Sequence, residues 1–290
     1  MKIEQVGMTK GGEAYLLLLD NVSILLDTGF SFSAEDMVKN IKSIVGDKPL
    51  DYCFISHSHY DHVSGLGYVV DEYPNVVVVG SAYAKKIIAK DSAKATMLSL
   101  NEDAYNLHHD DLKFKELDSK FDGFRIDLAM ADGELLDLGE EVVQAIESVG
   151  HTKCCMSYYL QNSKLLICSE TAGIPRGGDE VMPGYIVSYK TTIAHLEYLK
   201  ILDIEKIFFA HSAILDMPPM RFIKNAISAA TQMKEFVIGL HFSGISEELI
   251  YEEFKKKYYL AKVREKQPTE AFRLNATNTI KNLIKDFSWD

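Results

Sequence analysis

CFISHSHYDHVSG, residues 53–65, sets three histidines and an aspartate, His57, His59, Asp61 and His62, within six positions. The residues before them, DYCFIS, form an apolar run of the length and composition of a buried strand. Such a strand has little use for polar residues at its exit unless something gathers them. Neutral imidazole and carboxylate are the donor types that hold Zn²⁺, Fe or Mn²⁺, and on one loop they can turn toward a common point.

The same arrangement recurs along the chain. His151 follows IESVG, Glu170 follows LLICS, His211 follows IFFA, and Asp27 closes SILLD. Strand ends on one side of a sheet converge, so these residues are expected to meet in one cleft despite their separation in sequence.

With these residues in view, HSHYDH resembles the HxHxDH signature of the metallo-β-lactamase superfamily. LLDTG, GHT and AHS stand in the order that family shows, and the likeness spans roughly residues 1 to 215. The resemblance implies an α+β chain with an αββα sandwich and metals at one sheet edge. It implies two divalent ions, zinc by family, with iron or manganese left open. His57, His59 and His151 would hold one ion; Asp61, His62 and His211 the other. Glu170 would bridge both or bind one. Asp61 would also take a catalytic role by orienting a metal-held hydroxide, and Asp27 would hydrogen-bond ligand groups and fix their orientation. The chain departs from the family at Glu170, in CSETAG, where most hydrolase members carry aspartate. The extra methylene lengthens the arm by roughly 1.5 Å. The glycine-proline context often found before the third histidine is also replaced, here by SVGHTKCCMSYY.

Around these motifs the sequence reads as strands and helices in alternation. AYLLLLD and VSILLDTG flank the turn pair Asp20-Asn21 as a hairpin. Residues 34–45 read as a helix with Ser33 at its N-cap and Glu35 and Asp36 in its first turn. NVVVVG reads as a strand, followed by a helix near 81–90. Residues 101–123 are polar and weakly periodic and read as a surface loop. In the second half EEVVQAIESVGHT, CCMSYYLQ, SKLLICSE and IEKIFFAHS are strand-like, with residues 188–202 helical. After Pro218-Pro219 the character changes to three helices, 220–240, 246–259 and 269–286, punctuated by Gly244 and Pro268. The expected division is a metallo-β-lactamase-like domain over 1–216 and a helical extension over 217–290 that roofs the site.

Composition narrows the function. The 290 residues are 47% hydrophobic and 25% charged, as in an ordinary globular protein, and the net charge of −11 speaks against a polyanion partner, which needs a positive field. No run approaches the roughly 20 apolar residues that span a bilayer, and no signal peptide is read. Cys53, Cys154, Cys155 and Cys168 form neither a metal knuckle nor a disulfide framework and read as reduced thiols of a cytoplasmic protein. His195 reads as a packed helix histidine, His108–His109 as loop residues, and Arg176, in IPRGGDE, as a solvated loop arginine whose alternative is contact with an anionic substrate. The resemblance to the metallo-β-lactamase superfamily, with helices following the domain, implies a hydrolase acting on a small ester, thioester or lactone through a metal-held hydroxide. Alternatives are an iron-loaded redox or oxygenase member and a metal-binding regulatory protein without catalysis. The partner is a small molecule, with no nucleic acid or membrane and a homodimer left open; no substrate-binding residue is assigned.

Overall fold

Two antiparallel strands, β2 (Ala14–Leu18) and β3 (Ser23–Leu26), form the hairpin read around Asp20-Asn21, with β1 (Lys2–Gly7) paired antiparallel outside β2. Beyond β3 the pairing turns parallel through β4 (Tyr52–Phe54), β5 (Val77–Ser81) and β6 (Leu128–Met130). The result is a mixed sheet ordered β1-β2-β3-β4-β5-β6. β4 lies in its interior, so Cys53, Phe54 and Ile55 are buried. Each large apolar side chain so buried contributes about 1.5–3 kcal/mol. That interior strand is what delivers the histidine cluster to the sheet's edge.

This computed structural model describes residues 1–108 and 120–287. The chain divides into two compact units, Met1–Glu147 and Ser148–Asp290.

In the first unit, helix α1 (Ala34–Val45) buries Ala34, Met37, Ile41 and Val45, a stripe at helical spacing, and ends at Gly46 with φ +64°. Ser33 stands at its N-cap, but its side chain makes no capping bond. Two short helices, α2 (Tyr60–Val63) and α3 (Leu66–Glu72), follow β4, and α4 (Ala82–Ile88) follows β5, capped by Ser81 Oγ accepting from the Ala84 N–H at 3.0 Å. A hairpin, β7 (Leu135–Asp137) and β8 (Val142–Glu147), closes the unit.

Residues 101–108 are not loop. They complete α5 (Asp91–His108), whose buried stripe is Met97, Asn101, Ala104 and His108. Two of those four positions are polar, which hides the periodicity. Asn101 earns its burial by hydrogen bonding: Oδ1 accepts from Ser31 N–H at 3.1 Å and Ser31 Oγ at 3.2 Å, while Nδ2 donates to Ser64 Oγ at 2.8 Å. It thereby ties the turn after β3 to the residue just behind the histidine motif. His109 and the rest of 109–119 lie outside the described residues.

In the second unit β9 (Met156–Leu160), β10 (Leu165–Cys168), β13 (Lys206–Phe209) and β14 (Ala213–Ile214) stand in the order β14-β13-β10-β9, with β10 and β13 parallel. A small hairpin, β11 (Ile174–Gly177) with β12 (Glu180–Met182), and helix α6 (Tyr189–Leu199) lie between β10 and β13 in sequence. Then come α7 (Pro219–Phe242), α8 (Glu247–Tyr258), α9 (Ala261–Arg264) and α10 (Thr269–Phe287). The three long helices fall where the sequence puts them.

These helices share one core with the segment before α6. Met233, Val237, Ile250, Phe254, Phe272, Ile280 and Leu283 pack with Tyr185, and Met182 and Ile193 lie against them. Hydrogen bonds reinforce the grip: Thr279 Oγ1 donates to Tyr185 O at 3.1 Å and Asn282 Nδ2 to Ile186 O at 2.8 Å. A chain ending near 216 therefore loses the cover of Tyr185 and its neighbours and is expected to aggregate. Phe254→Ala in the full chain should cost about 3–5 kcal/mol, read by denaturant unfolding. A soluble, cooperatively folding 1–216 chain would contradict this packing.

His195 is buried on α6, and burial pulls its pKa down to about 4. The unfolded imidazole titrates near 6.5. Between those values the unfolded chain binds more protons, so stability falls as pH drops through that window. A loss of about 2 kcal/mol from this residue is expected between pH 7 and pH 5, absent in His195→Leu. Unfolding curves of both proteins at the two pH values check the sign; equal losses would remove His195 as the cause. The four cysteines are buried and in no disulfide, and among the described residues no helix is long and apolar enough to cross a membrane.

Candidate functional site

The first unit gathers four of the candidate ligands at the exit of β4. Ile55 N–H still pairs with Val79 O at 2.9 Å, after which His59, in extended conformation, opens α2. That single helical turn carries Asp61 and His62. The His57 and His59 rings lie 4.6 Å apart and those of His57 and His62 4.1 Å apart. Asp61 Oδ2 stands 3.8 Å from His62 Nε2. Pairs of donor atoms on His57 and His59, on His57 and His62, and on Asp61 and His62 fall within 4.8 Å. Ligands at about 2.0–2.2 Å from one ion need separations of this order.

Asp27 holds this cluster from behind. It ends β3 with φ +55°, and its carboxylate accepts from Ser56 N–H at 2.7 Å, from Ser56 Oγ at 2.8 Å and from His62 Nδ1 at 2.8 Å. A hydrogen on His62 Nδ1 leaves the lone pair on Nε2. Ser56 Oγ, its own hydrogen given to Asp27, accepts from His57 Nδ1 at 3.0 Å, which frees His57 Nε2 in the same way. Thr28 adds two bonds to His62 O, from N–H at 2.7 Å and Oγ1 at 3.0 Å. Tyr60, inside the motif, is buried with its ring 5.7 Å from that of Phe30.

Asp27→Asn keeps the volume but turns an amide N–H₂ against donors. Metal affinity is expected to fall by about 10–100-fold with the fold intact. Chelator competition measures it, and an unchanged dissociation constant would strip Asp27 of this orienting part.

The second unit gathers the other three. β10 and β13 are parallel with Cys168 opposite Phe209, so Glu170 and His211, each two residues further on, leave the sheet side by side. Glu170 Oε1 lies 2.8 Å from His211 Nε2, and Oε2 lies 2.9 Å from His151 Nε2. One carboxylate thus offers a separate oxygen to each of two imidazoles. His151 is fixed at both ends: its N–H donates to Thr171 Oγ1 at 3.0 Å, and Nδ1 donates to Gly184 O. Gly184 is required by crowding, since a Cβ there would meet Glu170 O at 1.9 Å.

All seven predicted ligands and Asp27 thus stand in two groups, one in each unit. Sequence reading missed Ser56, Thr171 and Gly184, which orient the ligands through single hydrogen bonds. His195 is packed on α6, His108 closes α5 and His241 lies in the last turn of α7.

The sequence pattern of the metallo-beta-lactamase superfamily matches residues 9–211. The chain belongs to this superfamily. The metallo-β-lactamase match takes in every candidate ligand and more than two thirds of the chain, and the fold is of the α+β class with mixed sheets and a helical C-terminal part. A curated relative, the metallo-beta-lactamase fold-containing protein ST1585 of Sulfurisphaera tokodaii, is 24% identical over 239 residues, covering 81% of this chain and 85% of its own. A hydroxyacylglutathione hydrolase of Buchnera aphidicola is 33% identical over 86 residues, 29% of this chain and 32% of that protein. Among solved structures, the metallo-beta-lactamase family protein TTHA1429 of Thermus thermophilus superposes with a TM-score of 0.65 at 14% identity, covering 99% of this chain and 94% of that one. At that identity the likeness carries the fold alone.

The donor set fits divalent metal. His57, His62 and His151 are buried, and each has its Nδ1 engaged by a protein acceptor, which leaves Nε2 as the donor atom toward a metal.

Proposed function

We propose that this chain is a dinuclear metal-dependent hydrolase of small esters, thioesters or lactones. The observation that carries the reading is Glu170, whose two carboxylate oxygens each face a different imidazole, His151 and His211. This is the disposition of a bridging ligand. In this reading His57, His59 and His151 serve one ion, Asp61, His62 and His211 the second, and Glu170 both.

Two divalent ions held in such a set supply Lewis acidity to a carbonyl oxygen and acidify water at neutral pH. The protein's own part is orientation. Asp27, Ser56 and the Gly184 carbonyl hold the imidazoles in the tautomer that donates through Nε2. Asp61, largely buried in its turn with a carboxylate oxygen 3.8 Å from His62 Nε2, would orient water held at the centre. Imidazole and carboxylate suit zinc. Helices α7–α10 bear on the site through their grip on residues 185–186, directly after Gly184, and we read them as the part that selects substrate. The hydrolase name of the Buchnera relative favours a thioester within this class.

An activity panel over thioesters, lactones and phosphoesters with zinc-loaded protein tests the proposal, with thioester or lactone turnover expected. Inactivity toward every acyl substrate, together with iron and charge-transfer absorption in protein purified anaerobically, would replace it by a redox reading.

A further inference from the structure

Arg176 is not the solvated loop arginine its sequence context suggests. It lies on β11, in the hairpin that follows Glu170, and is half-buried. Its Nε is buried and meets no hydrogen-bond acceptor, and among the described residues the guanidinium forms no ion pair. Glu180, on the paired strand, does not reach it, although the register sets Glu180 opposite the adjacent Gly177. The charges of Glu170 and Glu180 both act on Arg176, and desolvation nonetheless holds its pKa below the ordinary arginine value. A buried N–H left without a partner is costly. Such a group persists where a ligand supplies the missing acceptor.

Two more cations approach the same neighbourhood. Lys262 Nζ donates to the Arg176 carbonyl at 3.0 Å, and Lys266 Nζ to the His211 carbonyl at 2.9 Å. In a chain of net charge −11 these lysines add positive charge near Arg176 and His211. If Glu170 is engaged by metal, only the Glu180 charge remains to act on Arg176, and no carboxylate meets its Nε.

We infer that Arg176 is the anion-recognition residue of this site and that the physiological acyl substrate carries a carboxylate, received by the guanidinium fork. A planar guanidinium matches a carboxylate with two parallel N–H bonds, which a lysine cannot reproduce. The inference deepens the hydrolase reading and rests on it for the word substrate; anion binding itself does not.

Succinate and butyrate differ in the second carboxylate, so their binding to the zinc-loaded full chain isolates it. Calorimetry should show succinate bound at least about tenfold tighter than butyrate. Arg176→Gln should abolish the preference and Arg176→Lys retain part of it, with zinc content unchanged in both. In turnover, the hemisuccinyl thioester should exceed the butyryl thioester of the same thiol in kcat/KM, and Arg176→Gln should erase the difference through KM. Wild-type protein without a succinate preference, or Arg176→Gln that keeps it, would overturn the inference. Should Gln fail to fold, the Lys variant and the wild-type preference still decide. Thioester turnover with no preference sinks the anion site and leaves the hydrolase; an Arg176-dependent preference with no turnover does the reverse.

Discussion

His57→Ala is expected to lose about one metal ion per chain and to lower acyl hydrolysis by a factor of about 10³ or more, because an ion with few protein ligands loses one of them. His57 is fully buried, and its ring is fixed by Ser56 Oγ at 3.0 Å. Truncation therefore leaves a hole lined by polar groups that were arranged around the imidazole. Ser56→Ala separates the ligand from its support. It keeps the ring and removes the hydroxyl that links His57 to Asp27, so a milder loss of about 10–100-fold in metal affinity is expected. Elemental analysis of the purified variants and turnover under zinc saturation read both effects. Full metal content and full turnover in His57→Ala would end the ligand assignment, and with it the dinuclear reading.

The difference between these variants marks how far the sequence could be read. Ligand-type residues were visible because each stands one or two positions beyond an apolar run, and a run that short and apolar reads as a buried strand. The parallel pairing of β10 and β13, with Cys168 against Phe209, turns that regularity into proximity for Glu170 and His211. Ser56, Thr171 and Gly184 carry no such mark. Ser56 and Thr171 act here through hydrogen bonds of their backbone and hydroxyl groups, Gly184 through its carbonyl and its missing Cβ, and nothing in composition distinguishes them from loop residues.

The same reasoning explains α5. A helix is legible when its buried stripe is apolar, and here Asn101 and His108 take two of the four places. Asn101 is tolerated because Ser31, Ser64 and Met97 O satisfy its amide, a condition that exists only in the folded chain. Arg176 inverts the case. Its neighbours Gly177, Gly178 and Asp179 announce an exposed turn, and they are exposed, yet Arg176 on β11 is half-buried with its Nε buried and unsatisfied. Local composition reports how a backbone turns, and tertiary contacts decide what a side chain there can reach.

Glu170→Gln is expected to leave about one metal ion per chain and to move the pH–rate profile upward. The substitution keeps length and shape, so the fold around Ser169–Gly173 should hold. It removes the negative charge that two dications would share, and it presents an amide N–H₂ to either His151 or His211 where an acceptor stood at 2.9 and 2.8 Å. One ion then loses both a donor and its charge balance, and water at the remaining ion is less acidified by the pair. Glu170→Asp makes the opposite test. It restores the residue commoner in this superfamily but shortens the arm by roughly 1.5 Å. Two ions should still bind, with a changed preference among zinc, iron and manganese, because the carboxylate charge is retained while its reach is not. Metal stoichiometry and the pH dependence of kcat/KM, measured on both variants, separate charge from length. If Gln retains two ions per chain with an unmoved profile, Glu170 is a bystander between two histidines, and the second ion must be held by Asp61, His62 and His211 without it.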